Sequence, residues 1–182
     1  NKYGPTNYIV STTLGDGANY SSIQSAIDAA FADGFGLVLI RAGTYTENIA
    51  FKPNVALNGV DSSSNLTSVP GLVTIIGEHT IDAASGFVNV SNLTFTTTSA
   101  TPLFTIGGAL GNANAFFNNC YFSKGNIAGA AIFGNPTVGS ANFSLENCSI
   151  FSTATGISML GNSVCKITNC SISSTGNCIE GI

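Results

Sequence analysis

The sequence predicts an all-β fold: a right-handed parallel β-helix (solenoid) with an N-terminal amphipathic capping helix. Three observations predict it. A short motif of apolar residues around an Asn recurs without gaps through the second half of the chain. Polarity comes from Gly, Ser, Thr and Asn, with only 8% charged residues, a composition suited to strands joined by many tight turns. Helical periodicity occurs at one place, near the N-terminus.

The repeat comprises VNVSNLTF (88–95), AFFNNCYF (115–122), FSLENCSI (143–150) and CKITNCSI (165–172). Its Asn column is Asn92, Asn119, Asn147 and Asn169, spaced 27, 28 and 22 residues apart. Two positions earlier stand Val90, Phe117, Leu145 and Ile167. One position later come Leu93, Cys120, Cys148 and Cys170, and three later Phe95, Phe122, Ile150 and Ile172. Alternation before the Asn is the period of a half-buried strand. The apolar parity then slips by one across the Asn, so the chain must bend there. Strand, bend and strand at this spacing make one coil of a solenoid. Asn suits the bend because it tolerates left-handed angles, and its amide can bond the Asn of the next coil. A third strand per coil is expected around Leu103–Ile106, Ala130–Phe133, Gly156–Met159 and Asn177–Ile179.

The same columns account for the cysteines. Five occur, Cys120, Cys148, Cys165, Cys170 and Cys178. The odd number and the lack of metal-type spacing argue against a disulfide framework or a zinc site. A stack of small buried apolar side chains explains the repeat cysteines better. It explains most N-x-S/T sequons too, leaving Asn65 as the one candidate glycan acceptor.

In the first half, Ser21 and Gln24 read as a capping box with Ser21 at the N-cap. Ile23, Ala26, Ile27, Ala30 and Phe31 follow at helical spacing, and Gly34 stops the helix. Such a helix can cover the apolar end of a first coil. Strands are expected at Leu37–Arg41, Val55–Gly59 and Val73–Gly77, with a polar loop at Asp61–Pro70. The chain thus reads as a single β-helix domain over 1–182, with a cap segment to residue 36 and coils from 37. A start at Asn1 rather than Met reads as a processed chain. A stop at Ile182, half a coil after Asn169, is expected to lead into further domains, a trimer or an end-to-end stack.

YSSIQSAIDAA, LVLIRAGTYTENIAF, VALNGV and VTIIG resemble the opening of pectin-lyase-like β-helix proteins, the pectinesterase-type N-terminus in particular. The resemblance covers about residues 8–95 and includes a G-x-Y-x-E segment, here Gly43 to Glu47. It also extends to β-helix modules of viral and bacterial surface fibres, and implies a parallel β-helix. Pectinesterases carry catalytic Asp residues in Q-D-T-L and D-F-I-F-G and an Arg in L-G-R-P-W, and none of these occurs here.

After Asp82 the only carboxylates are Glu146 and Glu180 and the only basic residues Lys124 and Lys166. Acid–base hydrolysis needs clustered carboxylates, and a lyase needs carboxylates for calcium plus a base. No catalytic, cofactor or metal residue is therefore assigned. The polar candidates are Glu47, expected to be structural, Glu78 and Asp82, and His79, expected in a surface turn. No cluster of exposed aromatics is expected to stack on sugar. A net charge of −4 with only five basic residues argues against nucleic acid as a partner, and no apolar run is long enough for a membrane-spanning helix. The sequence favours a non-enzymatic structural or receptor-binding module of an extracellular fibre, virion or phage appendage. Its expected partners are its own copies, as a trimer or end-to-end stack, and a glycan or cell-surface receptor. The alternatives are a carbohydrate-active enzyme with catalytic residues elsewhere and a self-stacking filament subunit.

Overall fold

A computed structural model describes residues 8–13, 17–62, 65, 71–82, 86–107, 111–126 and 128–181. Among the described residues nineteen strands form three all-parallel sheets, stacked as a right-handed β-helix. Each coil contributes one strand to each sheet. The first coil supplies Gly36–Arg41, Gly43–Thr46 and Ile49–Phe51; the last supplies Ser163–Thr168, Ser171–Ser174 and Ile179–Gly181. The first sheet has one strand more, Tyr8–Val10, paired with Gly36–Arg41 through Tyr8↔Val38.

The repeat columns become registers. Val90 pairs with Phe117 and Phe117 with Leu145, which pairs with Ile167. Phe95, Phe122, Ile150 and Ile172 pair likewise in the second sheet. Between these sheets Asn92, Asn119, Asn147 and Asn169 all take left-handed φ, from 50° to 59°. Their amides form a ladder: Asn119 Nδ2 donates to Asn92 Oδ1 at 2.7 Å and Asn169 Nδ2 to Asn147 Oδ1 at 2.6 Å. Asn92 donates onward to Asn58 at 2.8 Å, so the ladder enters a coil that lacks the motif. Gly59, within the strand Val55–Val60, must lack a side chain there, because a Cβ would lie 2.2 Å from the Asn92 carbonyl oxygen. Cys120 and Cys148 are free and buried. Burial holds the Cys120 thiol well above its ordinary pKa, as an inert packing role requires.

The third-sheet strands fall where expected, as Phe104–Ile106, Ile132–Gly134, Ile157–Met159 and Ile179–Gly181. Between the sheets lies an aromatic cluster in which Phe95, Phe104, Phe117 and Phe122 have ring centroids 4.8–5.8 Å apart. The polar loop at Asp61–Pro70 lies mostly outside the described residues. Within it Asn65 is exposed, and its side chain and backbone amides both donate to Asp61.

The cap differs from its expected form. The helix is Ile23–Ala32, and its N-cap is Ser22, not Ser21, with the Ser22 hydroxyl accepting from Ser25 N. Ile23, Ala26, Ile27 and Ala30 are buried, whereas Phe31 lies at the rim with Lys52 above its ring. Gly34 follows the helix at φ 94°, as a left-handed stop requires. At the far end of the helix Tyr8 donates to the Asp33 carboxylate, a bond that, with burial, pushes the Tyr8 pKa up to about 12.

Candidate functional site

The four polar candidates do not converge. Glu47 closes the helix: Oε1 accepts from Ile23 N at 3.0 Å, and Oε2 accepts from Gln24 N and the Ser22 hydroxyl. A carboxylate on the positive end of a helix is a stabilising pair, so the Glu of G-x-Y-x-E is structural. The Tyr of that segment is structural too, with the buried Tyr45 hydroxyl donating to Arg41 O at 2.8 Å. Gln24 is not the returning arm of a capping box. Its amide accepts from Ala50 N at 2.9 Å and donates to Ala50 O at 3.2 Å. One side chain thereby satisfies the edge strand of the third sheet as a neighbouring peptide would.

His79 is not in a surface turn. It opens the strand His79–Ile81, is 1% exposed, and packs between Phe95 and Phe104 with centroids 5.1 and 4.9 Å away. Nδ1 accepts from Ile49 N at 3.3 Å, whereas Nε2 is buried without a hydrogen-bond partner. Burial lowers its pKa to about 3, so the ring is neutral with its proton on Nε2. Glu78, its sequence neighbour, lies in the turn outside the core. Hydrogen bonds from Ser99 and Thr101 lower its carboxyl pKa. Asp82 is half-buried just beyond the strand. No group of three His, Cys, Asp or Glu side chains that could hold a metal occurs among the described residues.

Lys124 is a functional-looking group that sequence reasoning missed. It ends the strand Tyr121–Lys124 fully buried, with Nζ donating to Ser99 O. Desolvation lowers its pKa, opposed by the nearby Glu78 carboxylate. Its column neighbours, Thr97 and Ser152, are buried polar residues at the same strand end. The signal was its register with Thr97 and Ser152, which an outward-facing lysine would not share. It sits at a coil corner, where the strand Tyr121–Lys124 ends.

Two surface grooves remain. The larger, about 670 Å³, runs over the third sheet and the turns entering it, lined by Phe133, Thr153, Thr155, Ser158, Thr175 and Glu180. Glu180 accepts from Asn177 Nδ2 at 3.1 Å, and hydrogen bonds from Asn177, Ser158 and Thr155 lower its pKa. A carboxyl held ionised can accept a hydroxyl proton in a hydrogen bond, but it is the opposite of the raised-pKa acid that glycoside cleavage requires. The smaller groove, about 340 Å³, lies on the outer face of the first sheet. The exposed Phe87 and the half-buried Phe116 both line it, with Lys166.

Comparison with known proteins agrees with the fold. A crystal structure of Escherichia coli YbhC matches with a TM-score of 0.55 and 13% identity, over 88% of this chain and 55% of that one. The chain thus spans about half the length of that protein. The A-module of the Azotobacter vinelandii mannuronan C-5 epimerase AlgE4 matches at 14% identity and a TM-score of 0.25, over 87% of this chain and 68% of the module. The YbhC match establishes a shared β-helix fold and nothing further. No family model and no curated protein matches the chain. No helix among the described residues is long and apolar enough to cross a membrane.

Proposed function

We propose that the chain is a pectin-lyase-like β-helix acting as a non-enzymatic binding module of an extracellular fibre, virion or phage appendage, with a glycan as its receptor. The observation that carries this is the third-sheet groove. It pairs hydroxyl side chains and the Phe133 ring with one ionised carboxylate, Glu180. Such a lining can hydrogen-bond sugar hydroxyls and stack on a pyranose face. It holds no second carboxylate to divide the roles of acid and base. Two other carboxylates hold structure: Glu47 closes the helix, and Glu146 accepts from Asn118. The N-terminal motifs support the pectin-lyase-like assignment.

The self-stacking filament is the weaker reading. A head-to-tail stack must seat the last coil of one copy on the N-terminal face of the next. That face is occupied by the helix, with Gln24 already paired to Ala50.

The test is isothermal titration with a panel of neutral, amino and acidic oligosaccharides, alongside product assays on pectin and bacterial capsules. Saturable binding of one class, weakened at least about tenfold by Phe133→Ala or Glu180→Gln, is expected. Release of reducing ends or unsaturated products by the purified chain would overturn the reading.

A further inference from the structure

The third-sheet groove has a floor and two unlike walls, and both follow from strand register. The outward positions of that sheet align as Ala50, Thr80, Thr105, Phe133, Ser158 and Glu180. Size alternates only from Phe133 onward, and Ser158 is sunk to 5% exposure between its larger neighbours. Phe133 and Glu180 thus stand two strands apart, roughly 10 Å, across a notch one strand wide. The turn residues Thr153, Thr155 and Thr175 border the same groove.

Glu180 is held across this notch. Asn177 of its own coil donates to Oε2 at 3.1 Å, and Ser158 and Thr155 of the coil before also hydrogen-bond the carboxylate. Bonds to the preceding coil lean the group toward the Phe133 side. A carboxylate offers about four lone-pair sites, so capacity remains for a donor brought by a ligand. Among the described residues no Lys, Arg or His lines the groove to balance the charge. Lys124 Nζ is committed to Ser99 O, Lys52 lies over the Phe31 ring, and Lys166 borders the other groove, on the first sheet.

We infer that this notch takes an ammonium group, so that the glycan recognised there carries a free amino sugar and not a uronic acid.

The inference rests on the glycan reading of the groove and names the class of sugar. An ammonium between the walls meets opposite charge on one side and an aromatic face on the other. The carboxylate accepts a charge-assisted hydrogen bond of about 2.8 Å. The negative face of the ring attracts a cation within about 6 Å of its centroid, and a gap of roughly 10 Å holds both contacts. A hydroxyl gains the first contact in weaker form and lacks the second. A uronate is repelled by Glu180, finds no compensating cation in the groove, and approaches a chain of net charge −4. N-acetylation removes the positive charge and keeps the sugar, so the acetyl group is the discriminating feature.

The experiment is isothermal titration of the 182-residue chain at low salt with short oligomers of glucosamine, N-acetylglucosamine and galacturonate. At about pH 5.5 the amine is protonated, and Glu180, held below its ordinary range, is ionised. The glucosamine oligomer should bind about tenfold tighter than its N-acetylated form, from a cation–ring contact and a partly exposed ion pair together. That preference should shrink at physiological salt, and galacturonate should bind more weakly than either. Glu180→Gln keeps the shape and should bring the two hexosamine oligomers within about twofold of each other. Thr155→Lys sets a cation beside Glu180 and should abolish the preference as well, both variants keeping the wild-type circular dichroism spectrum. N-acetylglucosamine or galacturonate bound as tightly as glucosamine, or a preference untouched by both variants, would overturn the inference and leave the glycan reading standing. Binding of no oligosaccharide at all would overturn the glycan reading, and the inference with it.

Discussion

The first and the last described coils are built from the same kind of strand and differ in what packs on them. On the first coil the helix lies across the strands, Glu47 closes the helix, Gln24 closes the third-sheet edge and Tyr8 ties the helix back through Asp33. In the coil of Ser163–Gly181 the same columns recur, more exposed among the described residues. Leu145 and Ile167 occupy equivalent positions in paired strands, yet Leu145 is 1% exposed and Ile167 is 36%. Ile150 and Ile172 repeat the contrast. Burial in a parallel β-helix is thus conferred by the next coil, not by the residue. The same side chain is core in the middle and surface at the end.

The largest expected effect tests how dry the middle is. Below about pH 6.5 the unfolded chain protonates His79, whereas the folded chain holds it neutral down to about pH 3. Between these values the unfolded state carries more protons, so stability falls as pH drops through the window and then levels. The loss is roughly 5 kcal/mol. Urea unfolding at stepped pH measures it, and in His79→Leu the step at this position should vanish. A histidine NMR titration with a midpoint near 6.5 in the folded protein would remove the contrast at its source.

The next effect sets the paired positions against each other. Leu145→Ala should cost about 2–5 kcal/mol through lost burial and the cavity left behind. Ile167→Ala should cost less than half of that, because its side chain already meets solvent. Equal losses in chemical denaturation would mean that the last coil is covered in solution. Smaller still is the helix closure. Glu47→Ala should cost about 1–2 kcal/mol, the scale of a lost N-terminal cap with its charge, with helical signal lost before sheet signal on heating. The smallest effect is Gln24→Ala, whose readout is local. Amide exchange at Ala50 should accelerate toward the rates of the terminal strand Ser163–Thr168, while the central strands remain protected.

Much of this fold could be read from the sequence because its signals are periodic. The Asn column announces itself by type, since a left-handed angle at each bend narrows the choice to Asn or Gly, and the apolar columns follow from strand parity. What stayed hidden is either short or non-local. The strand His79–Ile81 has three residues, too few for alternation to show, so its buried histidine resembled a turn residue. Glu47 and Gln24 meet partners more than twenty residues away, and Gln24 three positions after Ser21 imitated a capping box. Lys124 is hidden inside because a parity that points Phe122 inward carries the residue two further on inward with it.

The amide ladder also has a mechanical consequence. Its rungs are identical in kind and each lies one coil above the last, so a pull on the chain finds no rung much stronger than the next. With the first coil locked under the helix, the coils farther along the chain should give way before it does. Each step would free the 22 to 28 residues between rungs, roughly 75–95 Å of extended chain. Under force the molecule would behave as a ratcheted tether, lengthening in near-equal increments and staying intact at its capped end until the last coil is reached.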